Sequence, residues 1–268
     1  LNLMRDYSRW PERWTLIAEG LAALQADLIA LQEVNLSPSG NNTAQWLADQ
    51  LNNRKDGSSE HPYTAHSCPK TGKLRDREAI AILSRLPVEG AEMLDLQTQG
   101  RVAQWVRVRV GGRPLVFANG HYYWWPGEAA ERVRQVQRLL DWLAALPPGT
   151  AIVACGDFNG TPESKAISLM RERFTSAYVA CHGCEPEYTC PTPLARPSNF
   201  LRMAGSYLLG AMLNRSLKPW RGTLDYIFVN EHVRVGECSV ILNQPAPHDH
   251  TLYPSDHFGL AATLELCS

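Results

Sequence analysis

Apolar positions along this chain follow two rhythms, one helical and one strand-like, which alternate from end to end. Trp14, Ile17, Leu21 and Leu24 fall at helical spacing behind Pro11, a residue suited to a first helical turn, and the run Leu28 to Val34 follows as a strand. A second helix is expected over Thr43 to Leu51, capped by Asn42 or Thr43. Strands are expected at Ala79 to Leu83, Val102 to Val110 and Leu115 to Asn119, with Gly111-Gly112 joining the last two as a hairpin. Glu128 to Leu146 is the clearest helix: Ala129, Val133, Val136, Leu139, Leu140 and Leu143 form one stripe, and Pro147-Pro148-Gly149 ends it. A buried run at Ala151 to Cys155, a helix near Glu163 to Arg173, and strands at Leu224 to Val229, Arg234 to Leu242 and Phe258 to Leu266 complete the pattern. Strands interleaved with helices in this way predict a layered α/β domain with mixed sheets.

Composition narrows the picture further. A chain of 268 residues with 44% hydrophobic content can bury a large core, so a single domain over 1–268 is expected. The formal net charge is −1, so no global field draws the chain to nucleic acid or an anionic membrane, and any affinity for phosphate must be local. No apolar run approaches the roughly 20 residues of a membrane span, and no basic stretch followed by an apolar one opens the sequence. Leu1-Asn2-Leu3-Met4 reads as the end of a strand, so upstream residues, any targeting signal among them, are expected outside this sequence. Seven scattered cysteines favour a reducing compartment, with the cytoplasm as the expected location. Cys181, Cys184 and Cys190 have a C-x2-C-x5-C spacing that fits Zn²⁺ ligands, ordinary loop cysteines or an adventitious disulfide; the lack of a second pair weighs against the metal.

The candidate chemistry sits at strand ends. Glu33 follows a buried run and is either a strand-end surface charge or an oxygen ligand for a hard cation. In Cys155-Gly156-Asp157-Phe158-Asn159-Gly160-Thr161-Pro162 an acid and an amide stand two residues apart, on one face of an extended backbone. Such an Asp can orient water or take its proton, and such an Asn can donate to a phosphoryl oxygen; the alternative is an Asx turn. Ser255-Asp256-His257 precedes the last strand, Asp225 opens Tyr226 to Val229, His121 ends a strand and Glu78 opens another. An Asp beside a His fixes its tautomer and stabilises the charged ring, which suits acid–base work.

In their order, N2-L-M, L31-Q-E-V, E78-A-I-A-I-L-S-R, N119-G-H, G156-D-F-N-G-T-P, L224-D-Y-I-F and S255-D-H-F-G resemble the exonuclease, endonuclease and phosphatase superfamily over nearly the whole chain. The Glu of the AILSR strand with the His of NGH is similar to the branch containing pancreatic deoxyribonuclease, the sphingomyelinases and the deadenylases; Gly120 departs from the usual NTH. The resemblance implies a four-layer αββα sandwich, two mixed β-sheets face to face with helices outside, and an active site at one edge of the sheets. It implies a Mg²⁺-dependent hydrolase of phosphate esters, with Mn²⁺ as an alternative ion. Glu33 would be the main metal ligand, with Asn2 and Asp256 completing the metal and phosphate surroundings. Asp157 and Asn159 would orient water and hold phosphoryl oxygens. His257 supported by Asp225, and His121 supported by Glu78, would be the two imidazoles, with the assignment of acid and base left open.

Substrate is less determined. Lys70, Lys73, Arg75 and Arg77 lead into Glu78 and fit either a phosphate-backbone contact or a solvated loop. Tyr122-Tyr123-Trp124-Trp125-Pro126 follows His121 and offers rings, Trp124 above all, for stacking bases, touching lipid or packing in the core. An apolar helical segment near 199–213 is expected to pack on the core, with a cover over the active site, a hydrophobic substrate site or a partner contact as alternatives. A nuclease-like phosphodiesterase is therefore the leading reading, with nucleic acid as a substrate class. A lipid phosphodiesterase or phosphomonoesterase comes next, a non-catalytic binding protein last, and no protein partner is indicated.

Overall fold

Pro11 in the first turn and a buried stripe of Trp14, Ile17, Ala18 and Leu21 make helix α1 (Trp10–Leu24). The computed structural model describes residues 1–3, 9–36, 42–54, 61–194 and 221–267, so the expected helix near 199–213 lies outside the described residues. The chain continues through β1 (Leu28–Asn35), α2 (Thr43–Asn52), β2 (Thr64–Pro69), β3 (Glu78–Ser84), β4 (Gly90–Asp95), β5 (Val102–Val110) and β6 (Arg113–His121). After these come α3 (Ala130–Ala144), β7 (Ala151–Asp157), α4 (Lys165–Arg171), β8 (Thr175–Ser176), α5 (Ala177–His182), β9 (Asp225–Val229), β10 (Val233–Ile241) and β11 (Gly259–Leu266). Of the two expected caps for α2, Asn42 is used, its side chain accepting from the backbone N–H of Ala44 and Gln45. Strands β2 and β4 were not expected, because each lies at a sheet edge and is too exposed to carry an apolar run.

The described residues form three hydrogen-bonded sheets rather than the expected two: β1-β3-β2, β10-β11, and a six-stranded sheet β4-β5-β6-β7-β9-β8. The large sheet is mixed, with β6 and β7 parallel and its other neighbours antiparallel. Residues 1–3 add a parallel bridge to β1 at Gln32, while β1, β2 and β3 are antiparallel. Three apolar clusters separate the layers. Ile17 and Leu21 of α1 and Leu47 of α2 meet Leu31 and Leu83 on one face of the small sheet. Val136 and Leu140 of α3 and Ile167 and Met170 of α4 meet Ala154 and Phe228 on the outer face of the large one. Between the sheets lie Ile82, Val106, Phe117, Val153 and Val229, joined by Val235 and Leu264 of β10 and β11. The chain is thus α/β with a mixed sheet, as expected, and helices pack on the small sheet and on the large one. Each such side chain, fully buried, contributes about 1.5–3 kcal/mol.

A pair of amides links the sheets at the end where the functional residues gather. Asn119 Nδ2 donates to Leu31 O and Ala81 O, both at 3.0 Å, while Asn119 Oδ1 accepts from Gln32 Nε2 at 2.7 Å. A buried amide satisfied in this way fixes how the sheets sit on each other, since losing one partner leaves an unmatched group. Just beyond it, Gly120 and Gly156 are register partners on β6 and β7. Gly156 has φ +137°, and a Cβ there would lie 2.0 Å from Gly120 O. At Gly120 a Cβ would meet the Tyr122 hydroxyl at 2.5 Å, so the ring of Tyr122 fills the space that the side chain of an NTH threonine would need. Gly120→Thr is therefore expected to destabilise the fold by roughly 1–3 kcal/mol through overpacking. Thermal or urea unfolding of the variant checks this, and wild-type stability would show that Tyr122 moves freely.

Candidate active site

Register alone puts three functional side chains in a row. His121 pairs with Asp157 across β6 and β7, and Asp157 pairs with Asp225 across β7 and β9. All three are buried. Loops bring two more groups to this row. Leu3 N donates to Gln32 O, which ties the first residues to β1, and Asn2 Nδ2 donates to Asp157 Oδ2 at 3.2 Å. Ser255 Oγ donates to Asn2 O at 2.6 Å, and beside it His257 Nδ1 lies 2.8 Å from Asp225 Oδ2. The expected His257–Asp225 pair is thus present. Asn159 is held by N–H donation to Asp157 Oδ1 at 2.9 Å and by Nδ2 donation to Tyr122 O at 3.2 Å, with its backbone left-handed at φ 51°.

The other expected pair is arranged differently. Glu78 Oε1 is 3.9 Å from His121 Nδ1, too far for a hydrogen bond, and it ion-pairs instead with the buried Lys70 ammonium. Lys70 therefore does not belong to a solvated loop. Lys73 and Arg75 do stand exposed, as the loop reading expects. His121 Nε2 lies 3.5 Å from Asp157 Oδ2, and its Nδ1 has no hydrogen-bond partner. Of the aromatic cluster, Tyr122 is core, stacked on Phe158 with centroids 4.4 Å apart, whereas Trp124 is 39% exposed.

Glu33 sits in an irregularity of the β1–β3 ladder between Leu31 and Val34, at φ 54°. A bulge with left-handed backbone at a non-glycine residue re-aims a side chain at a local cost of about 1–3 kcal/mol. Asp256 is half-buried, and its Oδ1 accepts from Ser255 Oγ at 3.2 Å. Among the described residues, the group whose donor atoms all lie within 4.8 Å of one another is Asp157, Asp225 and His257; the expected ligands Glu33 and Asp256 are outside it. Asp225 Oδ1 is buried without a partner. The two carboxylates, with an unmatched oxygen among them, suit a divalent cation, which the imidazole would join only as the neutral ring. The Cys181, Cys184 and Cys190 triplet is not gathered into a metal site: Cys190 is buried beside His257, and the other two are exposed.

Electrostatics sets the two imidazoles apart. Burial holds His121 well below the usual imidazole range, and the cations of Arg101 and Lys70 add to this, so the ring is neutral. For His257 burial acts in the same direction, but Cys190 and Asp225 outweigh it and the pKa rises well above the usual range. The Cys190 thiol is itself pushed up to about 12 by burial, so at neutral pH Asp225 is the anion that holds His257 charged. Asp157 is raised to about 7, chiefly by burial and also by the neighbouring Asp225, with His257 and Arg101 opposing.

Three contributors were not read from the sequence. Arg101 is buried with Nε and Nη1 unpartnered, and it lies in the field of Glu78, Glu33 and Asp157. Thr189 Oγ1 donates to Asp225 Oδ2 at 2.6 Å, and Thr192 Oγ1 donates to Ser255 O at 2.6 Å, so one strand-like segment positions both Asp225 and the Ser255-Asp256-His257 turn. Arg101 had a signal, since it is a charge immediately before a buried strand, like Glu78 and Asp225. Thr189 and Thr192 had none.

The model of the Endonuclease/Exonuclease/phosphatase family matches residues 3–257. The chain belongs to that family. Among relatives of this family member are bovine (Bos taurus) 2',5'-phosphodiesterase 12, 25% identical over 291 residues covering 94% of this chain and 46% of the relative. Another is the zebrafish (Danio rerio) CCR4-NOT transcription complex subunit 6-like protein, 23% identical over 336 residues covering 96% of this chain and 57% of that protein. The chain thus spans about half the length of these relatives. The human Nocturnin catalytic domain with bound sulfate superposes with a TM-score of 0.69 at 22% identity, covering 96% of this chain and 87% of that one. Zebrafish TDP2 complexed with a single-strand DNA product superposes with a TM-score of 0.72 at 18% identity, covering 98% and 96%. The family match bears out the expected family, and the structural likenesses bear out the α/β fold.

Proposed function

We propose that this family member hydrolyses phosphodiester bonds in nucleic acid or related oligonucleotides with Mg²⁺ as its ion. The observation that carries the reading is the buried row of His121, Asp157 and Asp225, closed by His257 and flanked by Asn2 and Asn159. A divalent cation would be held by the carboxylates of Asp157 and Asp225, or by Glu33 with Asn2 and Asp256, and would supply positive charge to the phosphate oxygens. The chain's own groups do the rest. Asp157, with its raised proton affinity, accepts a proton from the attacking water. Asn159 orients that water or donates to a phosphoryl oxygen. His257, held charged by Asp225, offsets negative charge as it grows and can give its proton to the leaving oxygen, while neutral His121 can donate a hydrogen bond to the phosphate.

Nucleic acid is favoured among phosphodiesters by the exposed Lys73 and Arg75 and by the exposed ring of Trp124, which suit a phosphate backbone and a stacked base. A related 2',5'-phosphodiesterase and a structural neighbour holding a single-strand DNA product support the same class. The test is a Mg²⁺-supplemented screen of single-stranded DNA, RNA, duplex DNA, sphingomyelin and small phosphate esters. Cleavage of single-stranded oligonucleotides is expected; turnover confined to sphingomyelin or to phosphomonoesters would replace this reading. On the best oligonucleotide, Lys73→Ala with Arg75→Ala is expected to raise KM and flatten the salt dependence by a slope of ~1 per lost phosphate contact, with kcat kept. Lys70→Ala, by contrast, breaks a buried ion pair and is expected to cost about 3–5 kcal/mol of stability. Unchanged KM and salt slope in the double variant would make that loop an ordinary solvated surface.

A further inference from the structure

Helix α3 carries two buried polar side chains that no catalytic role uses. Arg132 is 2% exposed and Gln135 1%, and both face the loop after His121. The Arg132 guanidinium donates to the carbonyls of three alternate residues of that loop: Nε to Tyr123 O at 3.1 Å, Nη2 to Trp125 O at 2.5 Å and Nη1 to Gly127 O at 2.8 Å. Gln135 Oε1 accepts from Tyr123 N at 2.7 Å, while its Nε2 donates to Thr98 O at 3.0 Å. Trp124 N in turn donates to Gln99 Oε1 at 3.2 Å. The loop of Trp124 and the turn at 98–100 are therefore clamped to each other through α3. That turn is left-handed at Gln97, Gln99 and Gly100 and leads directly into Arg101.

The clamp also reaches the catalytic strand. Tyr122 N donates to Asp157 O at 3.0 Å, and Tyr122 O receives Asn159 Nδ2 at 3.2 Å. A Cβ at Gly160 would stand 3.3 Å from Arg132 Cδ, so the stem of Arg132 lies against the end of the Asp157-Phe158-Asn159-Gly160 turn. A cation buried against three carbonyls is an expensive way to stiffen a loop, and burial lowers its own pKa to about 10. An apolar side chain would fill the space without that cost but would leave the carbonyls unmatched.

We propose that Arg132 and Gln135 are positioning residues for the substrate cleft, holding the 122–127 loop and the 98–100 turn so that Asn159, Trp124 and Arg101 keep one fixed arrangement. The proposal rests on the phosphodiesterase reading. Its effect is geometric: displacing groups around a reacting phosphate by about 1 Å can cost ~10²-fold in rate.

The experiment compares wild type, Arg132→Ala and Gln135→Glu in steady-state kinetics on a single-stranded oligonucleotide, and in amide hydrogen exchange without substrate. Gln135→Glu keeps the acceptor for Tyr123 N and replaces the donor to Thr98 O with a carboxylate oxygen that repels that carbonyl, so it loosens the turn and stays informative if Arg132→Ala fails to fold. Arg132→Ala is expected to lower kcat/KM about 100-fold, with partial rescue by added guanidinium ion that His257→Ala does not show. Gln135→Glu is expected to raise KM up to about tenfold, the upper end for one lost hydrogen bond, with kcat nearly unchanged. Exchange in 122–127 is expected to speed up at least ~10-fold in either variant while β7 stays protected. Wild-type exchange in that loop, or a fall in kcat that only tracks the unfolded fraction with KM unchanged, would overturn the clamp. A wild-type protein inactive on every phosphodiester would overturn the phosphodiesterase reading instead, and exchange would still decide whether the clamp exists.

Discussion

Alanine at His257 is expected to lower kcat by at least ~10²-fold, the lower end for a positioned acid–base group, with the fold retained. The ring touches Asp225 Oδ2 at 2.8 Å, and the same oxygen receives Thr189 Oγ1 at 2.6 Å, so the carboxylate is fixed from two sides and can hold the imidazole in one orientation. Asp225 is also the anion that keeps the ring charged against the cost of burial. Losing either residue disables the same unit. Adding Asp225→Ala to His257→Ala should therefore cost much less than Asp225→Ala costs alone. A double-mutant cycle on kcat/KM reads this directly, with unfolding midpoints measured alongside because both residues are buried. Losses that multiply would separate the two residues and leave His257 with a role of its own.

Chelating divalent cations is expected to abolish turnover. Glu33→Gln is expected to raise the Mg²⁺ concentration needed for half-activation by at least ~100-fold, since even removing a group behind a metal ligand can cost that much. The structure supplies the motive: β1 breaks its ladder at Glu33 and accepts a left-handed backbone there, a cost that a side chain without a directional task does not need. The comparison variant is Asp157→Asn, in the group of close donors with Asp225 and His257. If Glu33→Gln keeps the wild-type Mg²⁺ requirement and Asp157→Asn shifts it, the cation belongs to the second group and the assignment of Glu33 fails.

Periodicity located the core because it is a local record of burial. Strand β7 is buried throughout and reads as the run Ala151 to Cys155, and α3 shows its stripe at 3.6-residue spacing. Gly111-Gly112 indeed turns β5 into β6, with Val110 opposite Arg113. The edge strands β2 and β4 were not legible, since a strand with one neighbour and an exposed face needs no apolar alternation. The charged strand-end residues were legible for the opposite reason: an acid or imidazole directly beside a buried run is costly to place there without a task.

By itself, then, the sequence determined the family, the layered α/β class and the identity of His121, Asp157, Asn159, Asp225 and His257 as one set, because these depend on spacing and residue chemistry within short segments. The His257–Asp225 pair was expected as well, but only the tertiary structure decided the other partnerships. Glu78 turned from His121 to Lys70, a loop lysine became a buried ion pair, and Arg101, Thr189 and the α3 clamp entered the site. Thr189 reaches Asp225 from 36 residues away, whereas Lys70 meets Glu78 and Arg132 meets the 123–127 carbonyls over short stretches whose course the fold sets. The row of His121, Asp157 and Asp225 is set by sheet order and register, and a shift of one residue in register would send those side chains to the opposite face.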